Sequence, residues 1–409
     1  MSSTSDTVSS RDAWRVALAG LLALASAMGI GRFAFTPLLP MMLHDGVVTL
    51  EQGGWLATAN YLGYLAGALL CMVLRAPAAL MVRLGLLATA LLTLAMAFGD
   101  SIPFWIALRA LAGVVSAAVF VFSSAWCMIR LERAPHLVAI IFCGPGLGIA
   151  LTGFPAGAMV AADWSAAQGW LAFGALAALL MAVVWPVFQP DGTQVAPTAA
   201  ARPAAPDTAH SARERRLQRE AWYLTFAYGL AGFGYIITAT FLPVIARRTL
   251  ADSIWPDLFW PMLGVAVALG ALLATRVPTD KDQRVWLAGC YAMQAVGVLL
   301  TVLVPNIAGF ALGSILVGLP FTTITLFVVR EVRRLTAHRG EGVVRRMVGQ
   351  ATASFSIGQV AGPPLAVRLA GVSAGQDPFA LPLMVAAAAL LSGMVMFLHM
   401  RHLDLRHAR

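Results

Sequence analysis

Arg32 and Arg109 lie deep inside long apolar stretches of the chain. A guanidinium that faces hydrocarbon there costs about 2.5 to 3.5 kcal/mol even on the lenient insertion scale, so both side chains must look into a protein interior or an aqueous cavity. Their neighbours agree. Arg109 shares a helical stripe with Gly113, Ser116, Ser123 and Cys127, and Arg32 stands one turn from Gly29 and Thr36. The chemistry a planar guanidinium fork offers is bidentate donation to a carboxylate or another anion. The alternative is internal: one or both bond backbone carbonyls at broken or kinked helices and stabilise a conformation. All 19 Asp and Glu residues map to loops, tails or span edges. No core carboxylate is therefore expected to neutralise the two arginines, and the missing negative charge is expected to arrive with a ligand. His44, Glu51 and Asp257, near span ends, are candidate proton sites, with plain loop solvation as the alternative.

The elements that must hold these residues are helices in lipid. With 59% hydrophobic and 11% charged residues and a mean hydropathy of +0.79, the chain has more apolar surface than a water-soluble core can hide. A bilayer core of about 30 Å needs roughly 20 apolar residues of helix, and twelve such segments can be marked: 14–43, 53–74, 77–98, 103–129, 136–160, 166–188, 221–246, 255–275, 284–304, 306–329, 347–371 and 379–400. Segments this long, without dyad alternation, exclude a membrane barrel. The expected fold class is an all-α membrane protein of twelve transmembrane helices. It divides into a tail over 1–13, a six-helix bundle over 14–188, a linker over 189–220, a second six-helix bundle over 221–400 and a tail over 401–409.

The formal charge of +9 lies in short segments between apolar runs, which speaks for membrane topology and against nucleic acid as a partner. With the N-terminus in the cytoplasm, only Arg247 and Arg248 fall outside, while Arg32, Arg109 and Arg368 fall within spans. Asp45, Asp100, Asp163 and Asp377 populate the outside loops, and both termini come out cytoplasmic. Arg368, close to the outer end of span 11, is placed to snorkel. From Pro190 to Glu220 the chain is rich in Pro and Ala and then basic, through Arg213, Arg215, Arg216 and Arg219. That composition predicts a flexible cytoplasmic linker ending in a surface helix, with a regulatory or lipid-sensing segment as the alternative. The polar stretch from Met1 to Ser10 precedes an apolar run too long for a signal-peptide core, so the first span is expected to be retained. Cys71, Cys127, Cys143 and Cys290 all fall in apolar segments without a CxxC pair or histidine cluster, and neither metal nor cofactor is expected. No nucleotide-binding loop or nucleophile with its base is present in the sequence, so neither enzymatic activity nor catalytic residues are expected.

Other stripes suit the lining of a cavity. Span 2 aligns Asn60, Gly63, Tyr64, Gly67 and Cys71; span 7 aligns Tyr228, Gly232, Tyr235 and Thr238. Span 10 contributes Ser314, Gly318, Thr322 and Thr325, and span 11 contributes Thr352, Ser356 and Gln359. Small and hydroxylated faces also serve plain helix packing. The substrate-contact candidates are Arg32, Arg109, Asn60, Tyr64, Tyr228, Tyr235, Thr238 and Gln359. Gly29, Gly31, Gly113, Gly144, Pro145, Gly148, Gly232 and Gly234 are candidates for conformational exchange, through close approach and bending.

The two halves repeat. Gly29-Ile-Gly-Arg-Phe-Ala-Phe-Thr-Pro-Leu-Leu-Pro40 aligns without gaps on Gly232-Phe-Gly-Tyr-Ile-Ile-Thr-Ala-Thr-Phe-Leu-Pro243, an offset of 203, and the same offset places Gly67-Ala-Leu-Leu70 on Gly270-Ala-Leu-Leu273. A parallel six-plus-six repeat is the pattern of a molecule whose halves rock about a central site.

Over nearly its whole length the chain resembles the major facilitator superfamily. Arg109-Ala-Leu-Ala-Gly113 resembles that superfamily's RxxxG element, and Cys143-Gly-Pro-Gly-Leu-Gly148 resembles the glycine-proline motif of its antiporters. Gly31-Arg-Phe-Ala-Phe-Thr-Pro-Leu-Leu-Pro40 is similar to the signature of the YbfB/YjiJ-like branch. One departure stands out: the loop after span 2 reads Gly67-Ala-Leu-Leu-Cys71-Met-Val-Leu-Arg75-Ala-Pro77, with Cys71 where the usual pattern has aspartate. The charge lock ascribed to that loop cannot form in the same way here. The resemblance implies the major facilitator fold, with spans 1 and 4 beside a central cavity, in a multi-pass protein of the bacterial inner membrane. Joined to the two arginines, it leads to an expected secondary transporter for a small organic anion such as a carboxylate, working by alternating access as a monomer on a substrate gradient or coupled protons. Proton-coupled export of hydrophobic or drug-like compounds is the alternative.

Overall fold

A computed structural model describes residues 10–74, 76–189, 211–251, 253–279, 281–336, 341–372 and 377–407. In chain order the long helices are α1 (Ser10–His44), α2 (Leu50–Cys71), α3 (Ala78–Ala95), α4 (Ile102–Arg130), α5 (Val138–Ala161) and α6 (Ala166–Val184). The second set is α7 (Ser211–Thr249), α8 (Pro256–Ala274), α9 (Gln283–Leu303), α10 (Ile307–Leu335), α11 (Glu341–Val372) and α12 (Ala380–His407). Ten of the helices are long and apolar enough to cross a membrane by length and composition alone. The other two, α2 and α11, are more polar, and they pack on each other across the two halves. Twelve crossings bring both chain ends to one face, hereafter the termini face.

Local sequence explains the boundaries. Thr49 and Ser165 open α2 and α6 with capping boxes closed by Gln52 and Gln168. Pro320 restarts α10 after a break at Gly318. Residues 190–210 of the expected linker, and Arg75 of the loop after α2, lie outside the described residues. From Ser211 the chain is already the first part of α7, because the segment that follows is built from Arg, Glu, Gln and Leu, all good helix formers, with no Gly or Pro to stop propagation.

The halves meet along three seams. Gly54 of α2 abuts Val367 of α11, Gly146 and Gly153 of α5 abut α8 at Gly264 and Pro261, and Thr36 Oγ1 of α1 donates to the Ala239 carbonyl of α7 at 3.0 Å. Thr36 and Ala239 are themselves related by the 203-residue offset. Two equivalent residues can touch only where the pseudo-twofold axis passes between them, so this bond marks the axis.

Candidate functional site

Within α1, residues Ala25–Phe33 wind as a π-helix. Such a turn loosens the ordinary i→i+4 ladder, and side chains from α2 and α4 take up its carbonyls. Arg109 donates from Nη1 to Gly31 O at 3.2 Å and from Nη2 to Arg32 O at 2.9 Å. Asn60 Nδ2 reaches Gly31 O at 3.4 Å and Arg109 O at 3.0 Å, and Ser116 Oγ donates to Ala27 O at 2.7 Å. Arg109, Asn60 and Ser116 thus form a brace around the π segment. These carbonyl bonds are of the kind the sequence offers as the internal alternative for Arg109, whose Nε has no hydrogen-bond partner among the described residues.

Arg32 is placed differently. It is 4% exposed, and among the described residues its one side-chain hydrogen bond runs from Nη2 to Gln359 Oε1 of α11 at 3.3 Å. Its guanidinium carbon lies 4.0 Å from the centre of the Tyr64 ring, 5.2 Å from Phe33 and 5.4 Å from Tyr61. Nε has no hydrogen-bond partner. Among the described residues no carboxylate lies within ion-pair distance of Arg32 or Arg109.

Gln359 joins the halves: it accepts from Arg32 and donates from Nε2 to Tyr235 OH. Arg32 and Tyr235 are counterparts under the 203-residue offset, so one amide binds the same position of both halves. Around Tyr235 the rings continue: Phe355 lies parallel at 5.7 Å, Phe321 meets it edge-on at 4.8 Å, and Tyr228 stacks on Phe355 at 4.5 Å. Phe33 links Phe321 to Trp260 at 6.1 and 6.0 Å. Tyr228 shares a 2.8 Å bond with Thr325, and Tyr61 shares a 3.0 Å bond with Thr240. The buried hydroxyls of Thr238 and Ser356 have no hydrogen-bond partner. Tyr64, Phe321 and Phe355 are partly exposed and Thr325 is exposed, so open space adjoins the rings on the termini side of Arg32.

A third buried arginine shows what full pairing looks like in this protein. Arg284 at the start of α9 donates to Asp282 at 3.0 Å and to Met400 O of α12, and Glu331 of α10 lies 3.7 Å away. Glu331, fully buried, also holds Arg334 at 2.7 Å, and Glu220 of α7 lies 3.9 Å from Arg334. Glu331 lies just past the expected end of span 10 at 329, at a span edge, and is buried there because α10 continues to Leu335 and the basic residues Arg284 and Arg334 surround it. Burial pushes the Asp282 carboxyl up, but the hydrogen bonds and charge of Arg284, with help from Arg334, hold it below its ordinary value.

The remaining candidates fall into separate places. A Cβ on Gly29 would land on Gly148 Cα, and one on Gly232 would land on the Phe355 carbonyl, so α1–α5 and α7–α11 approach backbone to backbone. Gly144 faces the Leu21 carbonyl, Gly31 faces Ser116, Gly113 faces the Asn60 carbonyl, Gly234 faces Leu390, and Pro145 lies in the first turn after the break in α5. His44 and Glu51 are exposed. Asp257 is partly buried and ion-paired with Arg247, its Cβ directly under Gly157 of α5. Phe33, Tyr61, Phe321 and Phe355 were not among the sequence candidates. The only signal for them is adjacency: each lies beside, or within one turn of, a residue that was, or beside the Pro320 break.

Two six-helix bundles that close over a central buried site define a major facilitator transporter. Residues 24–398 match the family model described as "Uncharacterised MFS-type transporter YbfB", and the chain belongs to that family. None of the curated protein sequences matches it. Among solved structures it is similar to a bacterial homolog of the human lysosomal transporter Spinster, in an inward-facing and unoccupied conformation, with 14% identity, a TM-score of 0.65 and 96% of each chain covered. It is also similar to a mutant of the nucleoside transporter NupG, with 11% identity, a TM-score of 0.69 and coverage of 94% of this chain and 99% of that one. At these identities the likeness is one of fold. The protein is a membrane transporter for a small molecule, not an enzyme.

Proposed function

We propose that the protein carries a small organic anion, a carboxylate, across the bacterial inner membrane by alternating access. The observation that carries this reading is Arg32, a buried cation with one hydrogen bond, an unpartnered Nε and no carboxylate beside it among the described residues. Its contact with Tyr64 offsets about 2 kcal/mol when desolvated, against an effective penalty of several kcal/mol for a buried ion. A bound carboxylate supplies the opposite charge and two acceptors together. Arg109, on backbone carbonyls, is the brace that aims Arg32. Tyr64, Tyr228, Tyr235, Thr238 and Gln359 complete the substrate's surroundings, and Asn60 works through the brace.

Rocking of the bundles about the Thr36–Ala239 axis opens the site to each face in turn. The charge of the loops places both termini in the cytoplasm. Transport runs on the substrate gradient or on coupled protons, for which Asp257 suits best, being partly buried and paired where His44 and Glu51 are solvated.

Purified protein in liposomes is expected to show counterflow of labelled carboxylates. Uptake of amphiphilic amines but not of acids would overturn the anion reading in favour of proton-coupled export of hydrophobic or drug-like compounds. Arg32→Gln is expected to weaken carboxylate binding roughly 10- to 100-fold, the value of a charged hydrogen bond, read from ligand-induced thermal stabilisation.

A further inference from the structure

Resting on the anion reading above, we infer that the cargo is a monocarboxylate whose body is an apolar aromatic ring. The charge comes first. Arg32 is the one unbraced guanidinium at the centre, because both terminal nitrogens of Arg109 are held by the Gly31 and Arg32 carbonyls. Arg109 keeps its charge nearby, but only Arg32 has a fork left to pair, so one carboxylate is bound there and the second carboxylate of a dianion finds no guanidinium donors.

The hydrogen-bonding inventory comes second. Most polar groups around Arg32 already satisfy one another: Gln359 spans Arg32 and Tyr235, Tyr228 bonds Thr325, Tyr61 bonds Thr240, and Asn60 Nδ2 bonds two carbonyls. The unpartnered hydroxyls of Thr238 and Ser356, one turn from Tyr235 and Gln359, suffice for a carboxylate oxygen, and beyond them Asn60 Oδ1 and Trp260 Nε1 are open. A polyhydroxylated or zwitterionic cargo would bring more polar groups than these few positions can pair, and each unpaired group weakens binding.

The walls come third. Four of the chain's six tyrosines, Tyr61, Tyr64, Tyr228 and Tyr235, converge here with phenylalanines from α1, α10 and α11. Tyr64, Phe321 and Phe355 are the members with open space beside them. Aromatic surfaces favour a planar ring in stacked or edge-on contact over an aliphatic body of equal area.

The test uses the purified full-length protein and four acids: benzoate, cyclohexanecarboxylate, gluconate and phthalate, titrated by thermal stabilisation. Benzoate is expected to bind roughly three- to ten-fold more tightly than cyclohexanecarboxylate, with gluconate and phthalate at least about ten-fold weaker than benzoate. In Phe355→Leu the ratio of the first two affinities should fall towards one while both still bind; a ratio does not depend on how much of the variant folds. If cyclohexanecarboxylate or gluconate binds as tightly as benzoate, or if Phe355→Leu leaves the ratio unchanged, the aromatic body is wrong; if phthalate binds as tightly as benzoate, the single carboxylate is wrong; in each case the anion reading stands. If none of the four binds, while amines do, the anion reading falls with it.

Discussion

At a constant offset α1 and α7 align residue for residue, yet α1 unwinds into a π-helix over Ala25–Phe33 while α7 is α-helical from Ser211 to Thr249. At the matched position stand Arg32 in one half and Tyr235 in the other, and both bond Gln359. The shared feature is close backbone approach: Gly29 on Gly148, Gly232 on the Phe355 carbonyl. What differs is the chemistry each helix brings inward. The first half delivers a cation and has a polar brace from Arg109, Asn60 and Ser116 on its loosened winding; the second half delivers rings that stack, and its helix takes one side-chain bond from α9, Tyr291 OH to the Ala227 carbonyl at 2.7 Å. A duplicated frame can thus be specialised by altering one helix's winding while keeping the contacts that set its position.

The largest expected effect tests what the halves share. Gly29→Ala and Gly232→Ala should each lower stability by about 3 kcal/mol through overpacking, read as a drop in melting temperature. If only one of the two is destabilising, the equivalence of the glycine contacts is broken. Next comes the brace. Arg109→Gln removes two charge-assisted bonds to carbonyls and is expected to cost about 2 kcal/mol, more than Tyr291→Phe, which removes one neutral bond to the Ala227 carbonyl of α7. A smaller effect lies away from the site, at Asp282. Because its carboxyl is held below the ordinary value, its contribution is fully present above about pH 4 and fades as pH falls through the folded-state value. Asp282→Asn should therefore melt lower at pH 7, with the gap closing in acid. The smallest shift sharpens the contrast between the arginines: without ligand, Arg32→Gln should melt at the wild-type temperature or slightly above it, since it removes an uncompensated buried charge. A loss as large as that for Arg109→Gln would show that Arg32 too is structural.

Much of the architecture was legible because membrane helices announce themselves by hydropathy, and the repeat by one offset in corresponding spans. Arg32, Tyr64, Tyr228, Tyr235 and Gln359 could be singled out because polar or amphipathic groups stand out against apolar neighbours, and they lie together in the fold. Phe33, Phe321 and Phe355 could not, since a phenylalanine in an apolar run reads the same whether it meets lipid or a cavity. The π-helix was only hinted at: Gly29 and Gly31 suggested close approach and bending without saying which winding, and Arg109's partners are carbonyls that every sequence possesses. The burial of Glu331 was not legible because a hydropathy boundary stops at the first charge, here Arg330, while the helix runs on to Leu335.

The bond between Thr36 and Ala239 has an unequal dependence on sequence. One side contributes a hydroxyl, the other a peptide carbonyl. Ala239→Gly keeps the acceptor, whereas Thr36→Val deletes the donor, so the fastening at the symmetry axis is encoded on one side alone. A latch of that kind tolerates drift in the second repeat and concentrates selection on a single threonine of the first.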